Sequence, residues 1–80
     1  MTTENKSIEL CQDILATRLV QMIADRDSTT LTEALRKLMV TQTYDLLLDS
    51  ESYLHLESVE YIWDMLAAEQ RGDWERWMEI

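Results

Sequence analysis

Apolar positions recur along this chain three or four residues apart, and short polar links separate the runs that carry them. Ile8, Cys11, Leu15, Leu19, Met22 and Ile23 form one such stripe, which predicts a helix over 7–25 capped by Ser7 or Asn5. Leu10, Ile14 and Val20 widen the stripe, so this helix is expected to be covered on more than one side. Lys6, Asp13, Thr17, Arg18 and Gln21 are its wet positions. Cys11, inside the stripe, reads as a small buried hydrophobe. After a polar link, Thr30-Leu31-Thr32-Glu33 matches a capping box, with Thr30 as N-cap. The second helix, over 31–40, is expected to bury Ala34, Leu35, Leu38 and Met39, with Leu31 at its entry.

Thr41 or Thr43 caps a short third helix through Tyr44, Leu47 and Leu48. Asp49-Ser50-Glu51-Ser52 ends it, because Asp and Ser side chains compete for helical backbone groups and favour turns. Tyr53-Leu54-His55-Leu56 alternates and predicts a short extended piece. Ser58 caps a fourth helix over 59–70, with Val59, Ile62, Trp63 and Leu66 at helical spacing and Gly72 where a C-cap belongs. Asp73 caps a last short helix over 74–79, with Trp74, Trp77 and Ile80 on one side. Residues 1–5 are expected to fray.

These elements predict an all-α fold: a compact bundle of four to five short helices with no sheet, forming a single helical domain over 1–80. Its core is expected from Leu15, Leu19, Met22, Ile62, Trp63 and Leu66. One Gly and no Pro leave little material for hairpin turns. A chain of 80 residues buries only about 60–65% of the surface its unfolded form exposes, so the core is thin. Small domains compensate with disulfides, metals or a second copy. Cys11 is the only cysteine, which removes an internal disulfide and fits a reducing cytoplasm. No signal peptide or membrane span is seen.

Charge divides the chain. Of the net −9, residues 1–40 carry −1 and residues 41–80 carry −8, with no base between Lys37 and Arg71. That base-free window holds Asp45, Asp49, Glu51, Glu57, Glu60, Asp64 and Glu69, expected on the outside of two helices and a turn. Such a surface repels phosphate backbones, which argues against nucleic acid and suits a protein partner with a basic surface.

Chemistry-bearing constellations are weak. Counted from Asp49, an EF-hand loop needs Gly at its sixth position, where Leu54 stands. One His and one Cys, far apart, do not make a zinc site. His55 beside Glu57 lacks a nucleophile or an oxyanion donor and reads as a structural hydrogen bonder. Asp45 with Asp49, and Glu60 with Asp64, stand at helical spacing and read as solvated faces. No catalytic residue, metal or cofactor is expected.

Thr43-Tyr44-Asp45-Leu46-Leu47-Leu48-Asp49-Ser50-Glu51 and Glu57-Ser58-Val59-Glu60-Tyr61-Ile62 carry a resemblance. Over roughly residues 8–70 the chain resembles a family of short acidic helical bacterial proteins, a domain of unknown function. Its members pair an N-terminal helix with a T-Y-x-L-L-x-D-x-E core and an E-S-x-E-Y helix start followed by Ile or Leu. Where members have Gly-Leu-Trp, this chain has Tyr53-Leu54-His55. Members are often encoded beside a predicted ADP-ribosyltransferase-like protein, so the resemblance implies an antitoxin-like or accessory role and assigns no catalytic residue.

Two functions compete. One is a small acidic protein-interaction module whose face carries Asp45, Asp49, Glu51, Glu57 and Glu60 at the rim and Tyr53 or Trp77 as apolar anchors. The other is a self-assembling structural module with no dedicated hetero-partner. A homo-oligomer is expected in either case, since 46% hydrophobic residues exceed what one thin domain hides, with Leu10, Ile14 and Val20 left over on the first helix.

Overall fold

A hydroxyl starts each α-helix after the first. The computed structural model describes residues 3–73. They form α1 (Thr3–Asp27), α2 (Leu31–Met39), α3 (Gln42–Leu48), two single-turn 3-10 helices, η1 (Ser50–Ser52) and η2 (Leu54–Leu56), and α4 (Val59–Arg71). No strand occurs among the described residues. The all-α architecture is therefore as expected. The expected helix over 74–79, with Trp74 and Trp77, lies outside the described residues.

Helix ends follow local chemistry. Thr30 Oγ1 accepts the Glu33 N–H at 3.2 Å to start α2, and Ser58 Oγ accepts the Tyr61 N–H at 3.1 Å to start α4. Thr41 serves two helices. Its buried hydroxyl donates to the Leu38 carbonyl of α2 at 2.7 Å and accepts the Tyr44 N–H of α3 at 3.1 Å. Gly72 closes α4 at φ 85°, with the Asp73 N–H reaching back to the Ala68 carbonyl at 2.8 Å. Ser28 closes α1 in the same left-handed way at φ 54°, with the Thr29 N–H on the Ala24 carbonyl at 3.1 Å.

Three local expectations are corrected. Helix α1 starts at Thr3, so Ser7 lies inside it and caps nothing, because no residue from Glu4 to Lys6 obstructs helical backbone. The stretch 53–56 is not extended. Tyr53 turns left-handed at φ 60° and the next three residues wind into η2, since no strand among the described residues pairs with an extended segment. Cys11 is exposed, as are Leu31, Leu35 and Met39 of α2.

The described chain is a slab of 38 × 33 × 19 Å, about two helix diameters deep. A slab of that depth has one buried seam. Leu19 and Ile23 of α1, Leu38 of α2, Leu47 of α3, and Ile62 and Leu66 of α4 are fully buried in it. Helix α2 is too short to hide two sides, so Ala34 and Leu38 take the seam and Leu35 faces out. Of the expected core, Leu19, Ile62 and Leu66 are central, while Leu15, Met22 and Trp63 pack half-buried at its margin.

A polar clasp closes one end of the slab. Arg26 binds Asp27 through Nε at 2.8 Å and Nη2 at 3.0 Å, and its Nη1 donates to Gln70 Oε1 of α4 at 2.8 Å. Its guanidinium lies 5.2 Å from the centre of the Trp63 ring. Lys37 Nζ reaches the same Asp27 carboxylate at 2.9 Å from α2. The hydrogen bonds from Arg26 and then Lys37, with their positive charges, hold the Asp27 carboxyl well below the usual carboxylate range.

Two measurements check this picture. Leu19→Ala is expected to cost about 2–5 kcal/mol in urea unfolding, whereas Leu48→Ala, on the outside of α3, should stay within about 0.5 kcal/mol. Asp27 contributes stability that is fully present above its unfolded pKa of about 3.9 and is lost as pH falls toward its lower folded value. The melting temperature of the wild type should therefore exceed that of Asp27→Asn at pH 6, and the gap should narrow by about pH 2.5.

Candidate functional site

The middle of the base-free window, α3 with η1 and η2, folds into one corner of the slab. Helix α3 packs against η1 and η2, and η1 packs against η2, so the acids of these segments share a corner. Asp45 projects from α3, Asp49 and Glu51 flank the start of η1, Glu57 follows η2, and Glu60 lies in the first turn of α4. All five are exposed, as is Asp64 one turn further along α4. Among the described residues none of these six carboxylates takes part in an ion pair; the pairs are Arg26–Asp27, Arg36–Glu33, Lys37–Asp27 and Arg71–Asp73.

The corner has apolar members too. Tyr53 is exposed, held out by its left-handed backbone, and Leu48 and Leu56 are exposed beside it in sequence. Trp77, the other expected anchor, lies outside the described residues. Leu48 is exposed because α3 turns Thr43 and Leu47 inward, and Leu56 because η2 turns Leu54 inward.

Ser52 shapes the corner, competing for backbone groups as its place in the helix-ending stretch predicts. Its half-buried hydroxyl reaches the Leu46 carbonyl at the end of α3 and the Asp49 carbonyl at 2.8 Å, with one proton for the two. It also accepts the Leu54 N–H at 3.2 Å. Asp49 is more than a rim charge. Its Oδ1 accepts the Glu51 N–H at 3.0 Å and so starts η1.

Glu69 is the acid that does not stay outside. From the last turn of α4 its carboxylate accepts the Gln42 N–H at 2.7 Å, the Thr43 N–H at 2.9 Å and the Thr43 hydroxyl at 2.7 Å. It thereby caps the start of α3 from a different helix. Sequence spacing hides this contact, because 26 residues separate Glu69 from Thr43.

His55 is buried, its Nδ1 has no hydrogen-bond partner among the described residues, and its ring centre lies 6.3 Å from that of Tyr53. Glu57, the residue after η2, is exposed. Among the described residues no group of three or more His, Cys, Asp or Glu could hold a metal ion. No described helix is long and apolar enough to cross a membrane.

Comparison of the chain with protein-family models, with curated proteins and with solved structures found no match.

The cap on α3 is testable. Glu69→Ala leaves three donors without their acceptor and is expected to cost about 1.5–3 kcal/mol, with faster hydrogen exchange at Thr43. Glu69→Gln keeps one acceptor oxygen and should lose less. Equal stability of wild type and Glu69→Ala would deny the cap an energetic role.

Proposed function

We propose that this chain is a small acidic protein-interaction module, antitoxin-like or accessory to a neighbouring-gene product. It seats its base-free corner on a basic surface of that protein partner. The observation that carries the reading is the set of six exposed carboxylates at Asp45, Asp49, Glu51, Glu57, Glu60 and Asp64, none of them in an ion pair among the described residues. What sets this set apart is its sign: residues 38–70 hold seven acids and no Lys or Arg. Rim charges of one sign speed encounter with a basic partner, and exposed apolar groups among them slow dissociation. Tyr53 and Leu56 supply that apolar part.

At Tyr53 the chain departs from the glycine that members of the resembled family carry, and its backbone is left-handed there, a region glycine enters without steric cost. In this reading the module catalyses nothing, holds no cofactor and binds no nucleic acid. It works in the reducing cytoplasm, where the exposed thiol of Cys11 stays free.

The test is co-expression with the product of the adjacent gene, followed by association kinetics on the purified pair. Glu51→Lys with Glu57→Lys is expected to lower the association rate roughly tenfold and to flatten its dependence on salt. Both side chains are exposed, so unfolding should shift by no more than about 0.5 kcal/mol. Absence of a complex, or association indifferent to salt and to the double substitution, would sink the reading.

A further inference from the structure

The acidic corner leaves a second surface unexplained: the outer side of α1 and α2. Leu10 and Ile14 of α1 are 60% and 48% exposed, and Leu31 and Leu35 of α2 are 58% and 40% exposed. They belong to one surface. Ile14, Thr17 and Gln21 line a shallow depression along α1. Thr17 and Gln21 also line the adjoining groove of about 300 Å³ between the helices, which Val20, Leu31 and Leu35 complete. Leu10, Ile14, Thr17 and Gln21 follow a four-three-four spacing, the seam one helix offers another.

We propose that this face is the docking surface for a second copy of the chain, in a two-fold dimer. Two arguments select that occupant. The first is charge. Residues 6–40 hold five acids and five bases, whereas residues 41–73 hold eight acids and one base. Two copies of a chain at −9 repel wherever their acidic corners meet. The α1–α2 face is neutral, and Asp13 and Arg18 border its depression with one charge of each sign. A two-fold copy therefore brings no excess of like charge to the rim. A partner chosen for its basic surface is drawn to the other corner instead.

The second argument is area. The four exposed residues present roughly 400 Å² per copy, the size of the largest apolar patch on a soluble domain, which is often a functional surface. With their polar rim, two copies bury about 1,000 Å² in total, the lower end for a specific pair. The dimer is accordingly expected to be of micromolar strength and independent of any hetero-partner.

Sedimentation velocity on the purified chain, from about 5 to 500 µM in 0.15 M salt, reads this directly. Wild type is expected to pass from monomer to dimer, and to dimerise more tightly as salt screens the shared net charge. Ile14→Ser and Leu35→Ser should each weaken the dimer at least about tenfold, with helical circular dichroism retained. Leu48→Ser, on the acidic corner, should leave it unchanged. An amide-shift dilution series on the wild type needs no variant, and should move residues 10–21 and 31–35 and leave 45–57 still. Four results would overturn the proposal: a monomer throughout, shifts at the acidic corner instead, a dimer broken by Leu48→Ser alone, or a monomer that takes only a foreign amphipathic helix in the groove.

Discussion

The carboxylate of Glu69 does for α3 what seven residues cannot do alone. A helix of under two turns gains too few internal hydrogen bonds to repay its nucleation. Three donors at its start converge on Glu69, including the fully buried Thr43. The arrangement is unfavourable for α4 taken by itself, since a negative charge in the last turn opposes the helix dipole. It is favourable for α3, whose first turn offers the positive end. The conflict in one helix is offset in the other, and the two become a unit. The 3-10 turns and the acidic corner follow α3 in the chain and hang from it.

The neighbouring residue makes the matching tie on the other side. Gln70 accepts from Arg26, which also holds Asp27 and lies over Trp63, while Lys37 brings α2 onto the same carboxylate. The last turn of α4 therefore binds α3 through Glu69 and α1 through Gln70. A slab with one buried seam needs such ties, because its helices touch on one side only. Thr41, hydrogen-bonded to both α2 and α3, completes the set at the joint between them.

This economy separates two kinds of charge. Where helices converge, carboxylates are paired or used as caps. At the α3–η1–η2 corner they are exposed and, among the described residues, outside any ion pair, alongside Tyr53 and Leu56. The outer side of α1 and α2 is instead neutral and apolar. Occupation of that side by a second copy leaves both acidic corners of the pair open, so self-association and partner binding need not compete.

Much of this was legible in the residues. Thr30, Ser58 and Gly72 announced the ends of α2 and α4, because a cap works through neighbours three or four positions away. Periodicity placed Leu19, Ile62 and Leu66 in the core, and the base-free window located the acidic corner. Helical spacing, however, says which residues share a face and not whether anything lies over it. Leu31, Leu35 and Met39 carry the pattern of a buried face and are exposed because α2 meets its neighbours on one side alone. Tyr53–Leu56 alternates like a strand and winds into a 3-10 turn because no strand among the described residues stands beside it. Glu69 looked like one more solvated acid, and its role depends on a contact 26 residues away that only the packing of α4 on α3 creates. Local hydrogen bonds are written in the sequence; which faces are covered, and which charges are turned inward, is decided by the shape of the slab.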